Sequence, residues 1–329
     1  MTLLSATAAA PTTRSFSTVR LFLLVAAAAV VLAAPLAIYP LFLVKILCFI
    51  LFASALNIVL GFAGLLSFGH AAFFGGAAYI TAHAAKVWGL PFELAVLAGV
   101  GFATVLGLVF GALAIRRHGI YFAMVTLALA QMVYFLAVQL PFTGGEDGIQ
   151  SVPHGTLLGI VDLGKSTSMY YVVLGFTAFG LFVIWRAIRS PFGHILAAIR
   201  ENEQRARSLG LNVERYKLIA FTLSAALSGL AGSLKAIAFQ LASLADVTWH
   251  MSGEVILMTL LGGMGTLIGP AVGATFVVSM EHYLSTSGLP ITFIIGTVFV
   301  ICVMLFRRGI YGEIRARLLA TRQPSDLGD

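Results

Sequence analysis

Charge is what this chain has least of. Of its 329 residues only 10% are Asp, Glu, Lys or Arg, against a hydrophobic share of 60%, whereas a soluble domain carries about 25% charged residues. With a mean hydropathy of +1.00, that scarcity excludes a water-soluble globule and makes the chain an integral membrane protein. Cysteine is nearly absent: Cys48 and Cys302 both fall in apolar stretches, which argues against a disulfide framework or a metal cluster. Strand-length alternation is weak and its punctuation is missing, which excludes an outer-membrane barrel. There is no P-loop for nucleotide hydrolysis and no HExxH, GxSxG or Cys/His cluster. No catalytic residue, metal ligand or cofactor is therefore expected on this chain, and it reads as a non-enzyme. The net charge of +7 records topology rather than a nucleic-acid partner.

What is present is a series of charge-free runs, at 21–44, 46–85, 94–115, 118–145, 166–185, 255–280 and 282–306. Each reaches the ~20 residues that a bilayer crossing needs. Breaks at charges, prolines and glycines suggest ten hydrophobic segments: 20–38, 41–60, 70–86, 92–114, 119–140, 169–188, 218–239, 251–262, 269–286 and 290–306. The expectation is an all-α polytopic membrane protein of 8–10 transmembrane segments, with Gly-interrupted short helices. The N-terminal stretch imitates a signal peptide, and retention as an uncleaved first span is favoured. Sixteen of the 20 basic residues share one side if an even number of crossings separates them. Ten crossings satisfy this, and eight do when 251–286 is counted as a re-entrant entry and one span is lost elsewhere. The positive-inside rule then places the tail 1–19, the loop 189–217 and the tail 307–329 in the cytoplasm. The membrane-embedded body is 20–306, and the loop 141–168 lies outside, with turns rather than a domain.

Nine charged residues concentrate in 189–217. Ser190 before Pro191 is a helix start, and Phe192, Ile195, Leu196 and Ile199 make an apolar face. Asn202 with Glu203 looks like a second start, and Gly210 suits the position just past its end. Two short helices joined by a bend would make a rigid protrusion. It could rest on lipid headgroups, but Glu201 and Glu203 beside the arginines favour a protein partner.

Two Gly-rich breaks, 61–79 and 262–274, each follow an apolar segment and lead into another. Such interruptions point to a transport pathway, because unwound backbone is tolerated only where it is buried in protein or lines a cavity; the alternative is close helix packing. Close packing is the reading for Gly107, Gly111, Ser224, Ser228 and Gly232, which follow small-xxx-small spacing. Intramembrane polar residues are costly, which singles out Asn57, Ser67, His70, Gln131, Glu254 and Glu281. Ser67 and His70 suit either a solvated pocket or an interhelical hydrogen bond. Glu254 reads as capping a helix or pairing, rather than as a substrate contact, and Glu281 as interfacial.

The stretches "GFAGLLSFGHAAFFGGAAYITA" (61–82), "TGGEDGI" (143–149), "SPFGHILAAIRENEQRARSLGLNVERYKLIAFTLSAALSGLAGSL" (190–234), "EVILMTLLGGMGTLIGPAVGA" (254–274) and "VMLFRRGIYG" (303–312) resemble the permease subunits of branched-chain amino acid ABC importers, most closely the M-type (LivM). The resemblance covers roughly 40–312. It implies a LivH-type second permease, two cytoplasmic ABC ATPases that carry the ATP and Mg, and a periplasmic or lipid-anchored substrate-binding protein, all at a bacterial inner membrane. Gln204, Arg205 and Ala206 would occupy the EAA places of the EAA-x3-G coupling loop, with Gly210 as its glycine. The downstream Ile-x-Leu-Pro is missing, since Ala220 and Phe221 stand where it should begin.

On this resemblance Arg200, Glu201, Asn202, Glu203, Gln204, Arg205, Ala206, Arg207 and Gly210 would couple to the ATPase. Thr143, Gly144, Gly145, Glu146 and Asp147 would face the binding protein. Gly61, Gly64, Ser67, Gly69, His70, Gly262, Gly263, Gly265 and Gly269 would line the path. Related permeases are similar to those for urea and short amides. A stand-alone secondary transporter or channel is the reading from another class, and it wants intramembrane carboxylates that are mostly missing.

Overall fold

The computed structural model describes residues 31–157, 159 and 161–285, and beyond them 294, 296, 297, 300, 304 and 309–313. The first and tenth hydrophobic segments, Cys302, and the basic residues at 14, 20, 307, 308, 315, 317 and 322 fall largely or wholly outside those positions. After helical residues 31–37 come ten helices. They are α1 (Pro40–Asn57), α2 (His70–Lys86), α3 (Phe92–Ala114), α4 (Ile120–Gln139), α5 (Ser166–Ile188), α6 (Pro191–Glu201), α7 (Glu203–Ser208), α8 (Val213–Ala238), α9 (Trp249–Gly262) and α10 (Gly269–Ser285). α1 continues through a π-helical turn, Ile58–Phe62. Five of these elements are long and apolar enough to cross a membrane: Pro40–Phe62, Phe92–Ala114, Ile120–Gln139, Ser166–Ile188 and Val213–Ala238. The chain is an all-α polytopic membrane protein.

α2 sits at the centre, buried on nearly every side, as a helix apolar all round should be. Its neighbours approach closely because they present glycine and alanine. A Cβ on Gly107 of α3 would overlap Ala225 of α8, and one on Gly232 of α8 would overlap the Phe74 carbonyl of α2. Small residues at crossings are how membrane helices gain contact when lipid is as apolar as leucine. Around them Phe73, Phe110, Phe122 and Phe221 meet edge-on or tilted, with centroids 5.3 to 5.9 Å apart, a favoured aromatic geometry.

The remaining elements set the two ends of the bundle. α5 has 23 residues, about 34 Å of helix, so the loop before it and the loop after it lie at opposite ends. At the first end, β1 (Ile149–Gln150) pairs with β4 (Leu241–Ala242), and β2 (Thr156–Leu157) pairs with β3 (Val161–Asp162), both antiparallel. These two-residue ladders are turn-scale. α9 and α10 form a hairpin whose backbones touch: a Cβ on Gly262 would lie 2.9 Å from Gly273 N. α9 has 14 residues, about 21 Å, less than the ~30 Å of a hydrocarbon core.

The boundary that departs furthest from the sequence expectation is the start of α8. α8 starts at Val213 rather than near 218, because Asn212 caps it, its Oδ1 accepting from Arg215 N at 3.2 Å. Charge marks the end of a membrane span but does not end a helix, so the last five residues of the charged loop belong to α8.

Candidate functional site

The two Gly-rich breaks, distant in sequence, meet in space. The first runs from the π turn to Gly69. Here the helix ladder fails and three freed amides find substitutes: Leu65 N donates to Val59 O (2.9 Å), Phe68 N to Thr126 Oγ1 (3.2 Å) and Gly69 N to Ser67 Oγ (3.2 Å). The second break is the turn between α9 and α10, where Thr266 Oγ1 donates to Gly263 O (2.8 Å) and accepts from Gly269 N (3.0 Å). Buried backbone groups without partners are too costly to leave unpaired. Asn57, the last residue of α1, ties the breaks together: its Oδ1 accepts from Gly265 N at 2.9 Å and its Nδ2 donates to Thr266 O at 2.7 Å.

Arg200 of α6 reaches the same place. Its Nη1 donates to the Gly61 carbonyl. Its stem covers Gly64, whose φ of +71° favours glycine and where an added Cβ would lie 2.9 Å from Arg200 Cγ. A Cβ on Gly265, at φ +76°, would come 3.2 Å from Nη1. Gly61, Gly64 and Gly265 are thus held with Asn57 and Arg200 in one constellation. Gly262 and Gly269 instead serve the α9–α10 backbone contact, where a Cβ on either would strike the other's carbonyl.

Ser67 and His70 are fully enclosed. Ser224 Oγ donates to Ala55 O at 2.6 Å, so it accepts from His70 Nε2, 2.9 Å away. His70 Nδ1 then accepts from Ser67 Oγ at 3.1 Å, an assignment that follows from the network. Every polar atom of this neutral imidazole is spent within the subunit, linking the first break to α1 and α8.

At the end reached by α5, α6 and α7 form the expected two-helix protrusion. Asn202 caps α7, Oδ1 accepting from Arg205 N at 2.9 Å. Gly210, at φ +80°, closes it, with Gly210 N to Arg207 O at 2.9 Å and Leu211 N to Ala206 O at 3.2 Å, an αL helix stop. Ile199, Ala206 and Val213 are buried and pack as a small core with Ile195, Leu211 and Tyr216, while Leu196 is buried in the main core. Arg200, Glu201, Gln204, Arg205 and Arg207 are exposed.

Glu203 holds the protrusion to α8. Its Oε2 accepts from Lys217 Nζ at 2.6 Å, its Oε1 from Arg207 Nη2 at 3.0 Å, and His118 Nδ1 lies 3.4 Å away. Burial by itself would raise this carboxyl's pKa. The hydrogen bonds from Lys217 and Arg207, with the nearby charges, outweigh burial and hold it below its ordinary value.

At the opposite end Thr143 is buried, its hydroxyl turned to Ala137 O and Leu140 O (2.7 Å to the latter). Gly144 and Gly145 take φ of 78° and 62°. Gly144, Glu146 and Asp147 of that group are exposed.

The capping half of the Glu254 expectation requires correction. α9 begins at Trp249 behind Thr248, so Glu254 stands in the second turn and caps nothing. The missed signal is its surroundings. Lys45 of α1 pairs with Glu281 of α10 at 3.1 Å, and buried Asp246 pairs with Lys235. Lys45, Lys235 and Asp246 stood isolated in sequence. No spacing rule connects residues 45 and 281.

The comparisons with known proteins follow the same elements. The family model for the permease component of branched-chain amino acid transport systems matches residues 38–306. The chain is 34% identical over 255 residues to the high-affinity branched-chain amino acid transport system permease protein LivM of Salmonella typhimurium, covering 70% of this chain and 60% of that protein. The LivM of Escherichia coli is 34% identical over 254 residues, with the same shares. An autoinducer 2 import system permease protein, LsrC of Klebsiella pneumoniae, is 28% identical over 227 residues, 64% of this chain and 63% of that one. The chain thus spans about 60% of the length of the LivM relatives it matches. No solved structure matches.

Proposed function

The chain belongs to the family of permease components of branched-chain amino acid transport systems, and from that premise we propose that it is the LivM-type subunit of an ATP-driven importer of leucine, isoleucine and valine. It would work at a bacterial plasma membrane beside a LivH-type permease. Two cytoplasmic ABC ATPases would supply ATP and Mg, and a periplasmic or lipid-anchored binding protein would deliver the substrate. The observation that carries this reading is the 34% identity sustained through 255 residues.

The fold supports it. A capped, exposed two-helix protrusion at one end of the bundle, basic as positive-inside loops are, offers a docking element for the ATPases. The loop holding Glu146 and Asp147 lies at the other end, available to a soluble donor. Gly61, Gly64, Gly263 and Gly265 would be the joints that yield during alternating access. The path itself would form against the second permease.

The test is to assemble the chain with its candidate partners in nanodiscs and measure ATP hydrolysis with and without leucine, isoleucine, valine and autoinducer 2. Stimulation by the amino acids alone supports the reading. Stimulation by autoinducer 2 alone moves the chain to the second solute, and ATP-independent uptake by the isolated chain removes the importer assignment.

A further inference from the structure

We propose that Arg200 is the positioning residue through which displacement of the α6–α7 protrusion reaches both glycine breaks at once. The inference rests on the reading of that protrusion as the ATPase-docking element. The protrusion is a stiff unit: α6 starts at Pro191, α7 is capped by Asn202 and stopped by Gly210, and buried side chains fill the space between them. Arg200 lies at the end of α6 next to the bend. It is exposed, yet its Nη1 donates to the Gly61 carbonyl. Fixing so long a side chain costs rotamer entropy, and a charge-assisted bond to a carbonyl in a π turn offsets it.

What the bond joins gives it its significance. Gly61 and Gly64 belong to the first break and Gly265 to the second, and Arg200 approaches all three. Asn57 bridges the same two segments through Gly265 N and Thr266 O. A break in a helix is where backbone can bend without rupturing a regular ladder. Two such places cross-linked by Asn57 move together, and Arg200 is their connection to the protrusion. A push on α7 therefore arrives at the end of α1 and at the α9–α10 turn through one side chain.

The experiment compares wild type with Arg200→Ala, Arg200→Met and Arg200→Lys in the assembled complex in proteoliposomes, reading leucine transported per ATP hydrolysed beside complex recovery and thermal stability. In the complex that assembles, Arg200→Ala is expected to lower leucine transported per ATP hydrolysed at least about tenfold. Arg200→Met, which keeps the stem over Gly64, should fall likewise, and it is the variant to read should Arg200→Ala fail to assemble. Arg200→Lys, which retains a donor for Gly61, should recover part of the loss. An unchanged ratio in the variants, or transport falling only in step with recovered complex, overturns the inference. A wild-type chain that recruits no ATPase overturns the functional reading and the inference with it, so the two failures are distinguishable.

Discussion

Removing the Glu203 carboxylate should loosen the protrusion by about 2 kcal/mol, most of it through Lys217. The Lys217 side chain is only 4% exposed and its ammonium sits 2.6 Å from Oε2, so Glu203→Ala leaves a buried charge without its partner. A hydrogen bond to a charged group contributes about 1.5–3 kcal/mol. The Arg207 partner is 48% exposed, and its i,i+4 pair adds only about 0.3–0.5 kcal/mol. Hydrogen exchange of the α7 amides in nanodiscs reads the sum, and 2 kcal/mol corresponds to about 30-fold faster exchange. Lys217→Met removes the stranded ammonium, so the double variant should be less damaged than the two single effects added together. Strict additivity, or unchanged exchange in Glu203→Ala, would refute the reasoning. The pH dependence has a definite sign. The folded pKa of Glu203 is depressed, so its contribution is complete above the unfolded carboxylate pKa of ~4.3 and is lost as pH falls through the folded value. Protection of α7 should be flat from about pH 7 to 5 and decline below about 4.

Gly64→Ala should lower thermal stability by about 1–2 kcal/mol from the left-handed backbone alone, with more from displacing the Arg200 stem; an unchanged melting temperature would contradict the φ of +71°. Gly273→Ala puts a methyl into the Met258 carbonyl and 2.8 Å from Gly262 N, which should separate α9 from α10 at about 1–3 kcal/mol and reduce the monodisperse fraction on size-exclusion chromatography. In a Cys302→Ser background, Cys48, which has no exposed surface, should resist maleimide until the protein is denatured.

Local signals in the sequence carried over well, and pairings across hundreds of residues did not. Ser190–Pro191, Asn202 and Gly210 act within a few residues of themselves, so the ends of α6 and α7 were legible as helix chemistry. The small-residue ladders on α3 and α8 were legible because periodicity is a property of one helix. Asn57 was singled out as polar in an apolar run, but its partners at 265 and 266 follow from how α1 packs on a hairpin formed much later. The π turn after it leaves no composition signature. Lys45 and Lys235 were overlooked because each is a single charge in a long apolar stretch, and their carboxylates arrive from other elements. Glu254 was misplaced because the apolar run begins at 255 whereas the helix begins at Trp249.

The bond between Asn57 and the α9–α10 turn also bears on how the protein is born. Its two ends are separated by 208 and 209 positions, so when α1 enters the membrane, the groups that will satisfy Asn57 have not been synthesised. Until residue 266 emerges, an amide that ends 2% exposed must borrow water or lipid headgroups. A chain stalled before that point holds in α1 a side-chain amide without the two partners it has in the finished subunit.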